Sequence, residues 1–148
     1  LWMAWGILPD VLIGHSLGSV ISYDTLWDLS NDGSAGRVDL FISMGSPLAT
    51  RFIRRRLRGS GVSGKGAYQR NIRRWVNLAA RGDTTALQPR LEPFFHEMVD
   101  LGLTDSIEDF VDLENLFRGS VGLNAHESYG YLAQPTLAEV VGDWLERE

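Results

Sequence analysis

The chain has 148 residues, which is the size of one domain. Apolar residues make up 44% of it and charged residues 22%, which indicates a globular core and argues against global disorder, collagen and coiled coil. The formal charge of −5 argues against a general nucleic-acid binder, and the absence of cysteine excludes disulfides, thiolate chemistry and cysteine-based metal sites.

Short apolar runs, and the glycine-containing segments that interrupt them, predict the first strand, helix and loop. The opening segment Leu1 to Gly6 has no basic region and is not typical of a signal peptide. Val11 to Ile13 is a β-branched apolar run that predicts a buried strand. Gly14 to Gly18 interrupts it, Ser19 to Leu29 predicts a helix, and Asn31 to Gly36 has the composition of a loop.

The rest of the chain continues the alternation of strands and helices. Val38 to Met44, Trp75 to Ala80 and Phe110 to Phe117 are predicted as three further strands. From Thr136 the apolar residues follow a helical period, and Pro135 suits the first turn of that helix. The pattern predicts a single α/β domain with a mostly parallel sheet of about four strands and helices on both faces.

One motif carries chemistry. Gly14 to Gly18 reads Gly-His-Ser-Leu-Gly, the G-x-S-x-G pattern of a nucleophile elbow, with a predicted strand before it and a predicted helix after it. Such a tight turn projects the hydroxyl of Ser16 above the sheet, and we expect Gly14 and Gly18 to be needed there because they lack side chains. The N–H of Leu17 is then placed to donate to a developing oxyanion.

On these residues the chain resembles the lipase- and esterase-like α/β-hydrolases. Val11 to Leu26 resembles their elbow strand and helix, and Gly45 to Leu48, Trp75 to Leu87 and Asn124 to Tyr129 are similar to the stretches that follow. The resemblance covers nearly all of the chain but only the back half of that fold. It implies that further strands and a second oxyanion donor precede residue 1, that Val11 to Ile13 lies at an exposed sheet edge, and that the isolated 148 residues are inactive or aggregate.

The resemblance implies a triad in the chain order serine, acid, histidine. Asp83 is the best acid, because it follows the third predicted strand and sites form at the carboxyl ends of parallel strands. The alternative for Asp83 is a turn aspartate that caps the next segment. The remaining candidates lie at the wrong strand end, on the elbow helix, or before or within the fourth strand: Asp39, Asp24, Asp28, Asp105, Asp109 and Asp112.

Three histidines compete for the role of base. His126 follows the fourth predicted strand and precedes the last helix, so it lies at the carboxyl end of the sheet and is the preferred base. His15 is adjacent to Ser16, so its side chain is expected to point away and pack, while His96 is expected to be a surface or lid histidine. In the predicted acyl transfer, His126 takes the proton of Ser16, Asp83 orients the imidazole, and water resolves the acyl-enzyme.

Charge is unevenly distributed. Nine of the 14 basic residues lie between positions 51 and 74 with no acid among them, and positions 92 to 114 hold eight acids and no lysine or arginine. These are either solvated surfaces that attract each other, or a basic edge that contacts an anionic lipid surface or an acidic partner. Gly59 to Gly66 nearly matches a phosphate-binding P-loop, but Gly66 replaces the magnesium-binding Ser or Thr, so the segment is interpreted as a loop.

The leading hypothesis is therefore a serine hydrolase that cleaves a carboxylic ester, lipid esters included, without a cofactor or metal. His96-Glu97 lacks the second histidine that a zinc-binding helix needs. An acyltransferase or a thioesterase with the same three residues remains an alternative, as does a hydrolase-like fold used only for binding.

Overall fold

The computed structural model describes residues 8–33 and 36–147. The segment Leu1 to Gly6 and part of the predicted loop from Asn31 to Gly36, namely positions 34 and 35, lie outside the described residues. The main sheet has four parallel strands in sequence order, which confirms the predicted α/β class. These strands are β1 (Val11–His15), β2 (Val38–Met44), β3 (Ile72–Ala80) and β4 (Ser106–Leu113).

Helices connect the strands and cover the sheet. They are α1 (Leu17–Asn31), α2 (Arg51–Arg54), α3 (Glu92–Phe95), α4 (Glu97–Asp100), α5 (Ser128–Leu132) and α6 (Pro135–Leu145), with a 3-10 turn at Gly64–Ala67. A small antiparallel hairpin, β5 (Arg118–Gly119) and β6 (Gly122–Leu123), follows β4. In the described ranges, no helix has both the length and the apolar character to span a bilayer.

Successive side chains of the sheet point alternately into two apolar clusters, one on each face, so both faces are covered. Phe41 and Trp75 point to one face, where they pack with Tyr23 of α1. Ile42 and Val76 belong to the cluster on the other face, which α6 covers. Burial on both faces explains why β2, which lies inside the sheet, is mostly apolar.

β1 forms one edge of the described sheet. It pairs with β2 over all five of its residues, and the part of the chain that the structure describes places no strand on its other side. Ile13 is 42% exposed there. The position matches the exposed edge that the resemblance implies for Val11 to Ile13, whereas the buried strand that the apolar run alone predicts is not found: none of these three residues is fully buried.

The fourth strand begins earlier than predicted. It runs from Ser106 to Leu113 instead of from Phe110 to Phe117, and its first half carries the acidic residues Glu108 and Asp109. Both carboxylates have partners on β3: Nε of Arg74 donates to Glu108 at 2.7 Å, and Nδ2 of Asn77 donates to Asp109 at 2.8 Å. Because these partners lie more than 30 residues away in the chain, the local pattern concealed the start of the strand.

A buried chain of polar side chains crosses three strands. Nε1 of Trp75 donates to the Ser43 hydroxyl at 3.0 Å, and that hydroxyl donates to Oδ1 of Asn77 at 3.0 Å. Nδ2 of Asn77 then donates to Asp109 and to the carbonyl of Pro89 at 2.7 Å. Asn77 is 1% exposed, so it provides hydrogen bonds to these neighbours at a place that water does not reach.

We therefore expect Asn77→Leu to lower the free energy of unfolding by about 1–3 kcal/mol or more, because its buried partners lose their hydrogen bonds. Urea denaturation measures the change. Asn31→Leu, at the exposed end of α1, is the matched control and should change stability by less than about 0.5 kcal/mol. Equal losses in the two variants would contradict the buried network.

Candidate active site

Ser16 occupies a strained turn between β1 and α1. Its backbone has φ 55° and ψ −129°, and Asp112 is the other non-glycine residue with positive φ in the described ranges. Its N–H donates to the carbonyl of Met44 at the end of β2, 2.9 Å away. Strain of this kind persists only where the surroundings hold it, and it concentrates at functional sites.

The two glycines of the motif differ in what they do. A Cβ at Gly14 would lie 2.7 Å from Cα of Ser19, so this position admits only glycine while α1 packs so closely on β1. A Cβ at Gly18 would meet nothing within 4 Å. The expectation that Gly18 is needed for space is therefore wrong: its Cβ direction faces open space, and the crowding is confined to Gly14.

The three side chains singled out in the sequence lie in one line of hydrogen bonds. Nε2 of His126 is 2.9 Å from Oγ of Ser16. Nδ1 of the same imidazole is 2.9 Å and 3.0 Å from the two carboxylate oxygens of Asp83. The structure thus brings together residues that are 43 and 110 positions apart in the chain.

Asp83 also caps the turn that follows it, which is the alternative role that the sequence suggests for this residue. It follows β3, and its Oδ1 accepts the N–H of Thr85 at 2.9 Å and that of Ala86 at 3.3 Å. Its side chain is completely buried, whereas that of His126 is 29% exposed. The carboxylate therefore caps its own turn and faces the imidazole at the same time.

Hydrogen bonds decide the ionisation of Asp83. Burial by itself would raise the pKa of this carboxyl, but hydrogen bonds from Tyr131, His126 and Thr85 outweigh burial and hold the pKa below its ordinary value. The carboxylate is therefore ionised at neutral pH and only accepts hydrogen bonds. Nδ1–H of His126 then donates to it, so that in the neutral form of the imidazole Nε2 is the nitrogen that accepts from the hydroxyl of Ser16.

Tyr131 is a site residue that the sequence did not reveal. Its side chain is fully buried on α5, and its hydroxyl donates to Oδ2 of Asp83 at 2.7 Å. The same hydroxyl accepts the N–H of Ala80 at 2.8 Å. Burial and the bond to Asp83 raise the pKa of Tyr131, so it remains a proton donor. Nothing in the local pattern distinguishes it from an ordinary core tyrosine.

The loop that carries His126 is held by Asn115. Nδ2 of Asn115 donates to the carbonyls of Ala125 and Glu127, each at 2.9 Å, on either side of the histidine. A Cβ at Gly130 would lie 1.6 Å from Oδ1 of Asn115, so a side chain at that position would displace the Asn115 amide. These contacts fix the backbone of His126 and therefore the direction of its imidazole.

The other two histidines have the roles expected of them. Nε2 of His15 donates to the carbonyl of His126 at 2.7 Å, and the two rings pack with centroids 4.7 Å apart, so His15 supports the loop. His96 is half exposed and lies between Glu92 at 2.5 Å and Asp100 at 3.2 Å, on the surface of α3 and α4.

Two backbone features complete the site. Gly45, with φ 55°, lies beneath the acid and the base, because a Cβ there would be 2.7 Å from Oδ2 of Asp83 and 3.2 Å from Nδ1 of His126. Leu17 is the first residue of α1, so its N–H has no carbonyl one turn earlier in that helix to bind. The positive end of the α1 dipole therefore lies next to Ser16.

Comparison with known proteins adds no relative: no family model, curated protein or solved structure gives a significant match to this chain. The interpretation of the site therefore rests on the residues and distances given above.

We expect Tyr131→Phe to destabilise the protein by about 1–3 kcal/mol at neutral pH, because Asp83 loses a donor and the buried N–H of Ala80 loses its acceptor. Urea denaturation of the variant and the parent protein measures this difference. Tyr129→Phe is the matched control on the same helix, because Tyr129 is 68% exposed and its hydroxyl makes no hydrogen bond within the described residues.

The pH dependence of this loss has a definite sign. The folded pKa of Asp83 is depressed, so its stabilisation is present above the unfolded pKa and disappears as the pH falls through the folded pKa. The deficit of Tyr131→Phe should therefore shrink as the carboxyl is protonated, leaving the part due to Ala80. A deficit that stays constant or grows in acid would contradict the role of Tyr131.

Proposed function

We propose that the protein is a serine hydrolase that cleaves carboxylic esters through an acyl-enzyme. The observation that supports this most directly is the unbroken line of hydrogen bonds from Asp83 through His126 to Oγ of Ser16. The hydroxyl at its end stands on a strained turn next to a helix N-terminus. This combination meets the geometric requirements of an activated nucleophile.

In the first half of the proposed reaction, Oγ of Ser16 attacks the ester carbonyl and its proton passes to Nε2 of His126. The negative charge of Asp83 stabilises the imidazolium that forms and keeps the ring oriented. The tetrahedral intermediate then collapses, the bond to the alcohol oxygen breaks, and the imidazolium protonates that oxygen. The acyl group remains attached to Ser16.

In the second half, water attacks the acyl carbon as His126 takes one of its protons. The bond to Ser16 breaks, Oγ recovers a proton from His126, and the carboxylic acid leaves. In both halves the N–H of Leu17 is the oxyanion donor that we assign, supported by the positive end of the α1 dipole. An alcohol or amine as acyl acceptor would make the same chemistry an acyl transfer.

A purely binding role explains less of the site. A binding fold needs neither a hydroxyl held at φ 55° nor an imidazole with its proton fixed by a buried carboxylate. Strain and burial of charge both cost stability, so their coincidence at one hydroxyl favours catalysis.

Ser16→Ala in the full-length protein should abolish covalent labelling by a fluorophosphonate probe, because the probe reacts with an activated serine hydroxyl. Labelling is measured on a gel and its site by mass spectrometry. Ser63→Ala is the matched control, since Ser63 is exposed and makes no hydrogen bond among the described residues; it should label as the parent protein does. Labelling of another residue would refute the assignment of Ser16.

Asp83→Asn should slow labelling by roughly 10³- to 10⁴-fold, because an amide no longer enforces the tautomer with Nε2 unprotonated. Asp105→Asn removes a carboxylate whose side chain is 65% exposed and should leave the rate unchanged. Stopped-time labelling at fixed probe concentration gives both rates. An Asp83→Asn variant that is folded by circular dichroism yet labels normally would show that the acid is not part of the mechanism.

A further inference from the structure

Attraction between oppositely charged surfaces explains part of the basic segment. Arg58 pairs with Asp28 at 3.5 Å, Arg73 with Asp105 at 3.3 Å and Arg74 with Glu108 at 2.7 Å. The arginines in and directly after α2 are different. Over the described ranges none of them lies within 4.0 Å of a carboxylate: Arg51, Arg54, Arg55 and Arg56.

Three of these unmatched arginines border one cavity. An open cavity of about 600 Å³ is lined by Arg51, Arg54 and Arg55, together with Phe94 and Tyr68. The glycine- and serine-rich segment Gly59 to Gly66, which nearly matches a P-loop in the sequence, also lines the cavity. Small residues in that loop keep its backbone and hydroxyls close to the space that the arginines face.

One guanidinium is held in place without using its charge. Nε of Arg54 donates to the carbonyl of Ala49 at 3.0 Å, and its Cζ lies 4.1 Å from the centre of the Phe94 ring. The stack and the hydrogen bond fix the plane of the guanidinium and leave its terminal amino groups without a partner in the described part of the chain. A group oriented in this way loses little entropy when it binds a ligand.

The acid at this cavity is already engaged. Among the lining residues that the structure describes, Glu97 is the one carboxylate, and it accepts the hydroxyl of Tyr68 at 2.7 Å. Burial together with this bond raises the pKa of Tyr68 to about 12, so the tyrosine stays protonated and continues to donate. With three unmatched arginines against this one carboxylate among the described lining residues, the cavity has an excess of positive charge.

From this arrangement we infer that the cavity binds the phosphate group of a ligand. Arginine presents a planar fork of donors that matches two phosphate oxygens at once, and the hydroxyl of Ser63 adds a donor from the loop. The site contains none of the three residues proposed for ester cleavage, so the inference stands or falls separately from the proposed function.

Two sources supply this chemistry, a soluble phosphate monoester and an anionic phospholipid headgroup. We expect inorganic phosphate or glycerol phosphate to bind the full-length protein in a calorimetric titration, or the protein to float with vesicles of equimolar phosphatidylcholine and phosphatidylglycerol and not with pure phosphatidylcholine. Binding in the first arm identifies a soluble ligand and binding in the second a headgroup. Both should weaken as salt rises. Binding in neither arm overturns the inference.

The variant that tests the site is the double substitution Arg51→Gln with Arg55→Gln, both of which are exposed and outside the core. It should weaken whichever binding is seen by about tenfold or more, the effect of losing charge-assisted hydrogen bonds. The matched control is Arg90→Gln with Arg118→Gln, which removes the same charge from exposed positions that do not line the cavity. Equal losses in both double variants would show attraction by net charge alone and overturn the inference.

A third variant separates geometry from charge. Arg54→Lys keeps the positive charge and loses the planar group that stacks on Phe94. It should weaken binding several-fold while leaving fluorophosphonate labelling of Ser16 unchanged. Full binding by Arg54→Lys would mean that no oriented guanidinium is needed and would contradict the site described here.

Discussion

The site depends on one constraint: the imidazole of His126 must reach two atoms that different strands hold. Oγ of Ser16 stands at the end of β1 and the carboxylate of Asp83 follows the end of β3, with β2 between them. A parallel sheet satisfies this because all its carboxyl ends lie on one edge. The intervening strand must then leave room, and Gly45 does so: any side chain there would displace both the acid and the base.

A second consequence of that constraint is that the acid and the base share their supports. Asn115 holds the backbone on both sides of His126, and Tyr131, five residues after the histidine, holds Asp83 from α5. His15 adds a further support by donating to the carbonyl of His126. The segment that carries His126 therefore also holds the carboxylate of Asp83. Their separation of about 2.9 Å is maintained by one packed unit.

The sequence was informative where a function depends on local conformation and silent where it depends on distant contacts. The motif around Ser16 predicts a strand, a turn and a helix because tight turns constrain neighbouring residues, and strand order along the chain singles out Asp83 and His126. Tyr131 and Asn115 act across the fold, so no local period marks them. The same reason explains the misplaced start of β4, whose acidic residues look like loop residues until their partners on β3 are known.

Net charge shows the same difference between local and distant information. A chain of charge −5 argues against binding of anions when its charges are treated as one sum. In the folded protein many of the acids are committed: Glu108 to Arg74, Asp109 to Asn77 and backbone N–H groups, and Glu97 to Tyr68. The arginines of α2 have no such partners among the described residues. Because screening limits the interaction of exposed charges to about 8–10 Å, a ligand at their cavity responds to the unmatched arginines around it far more than to the total.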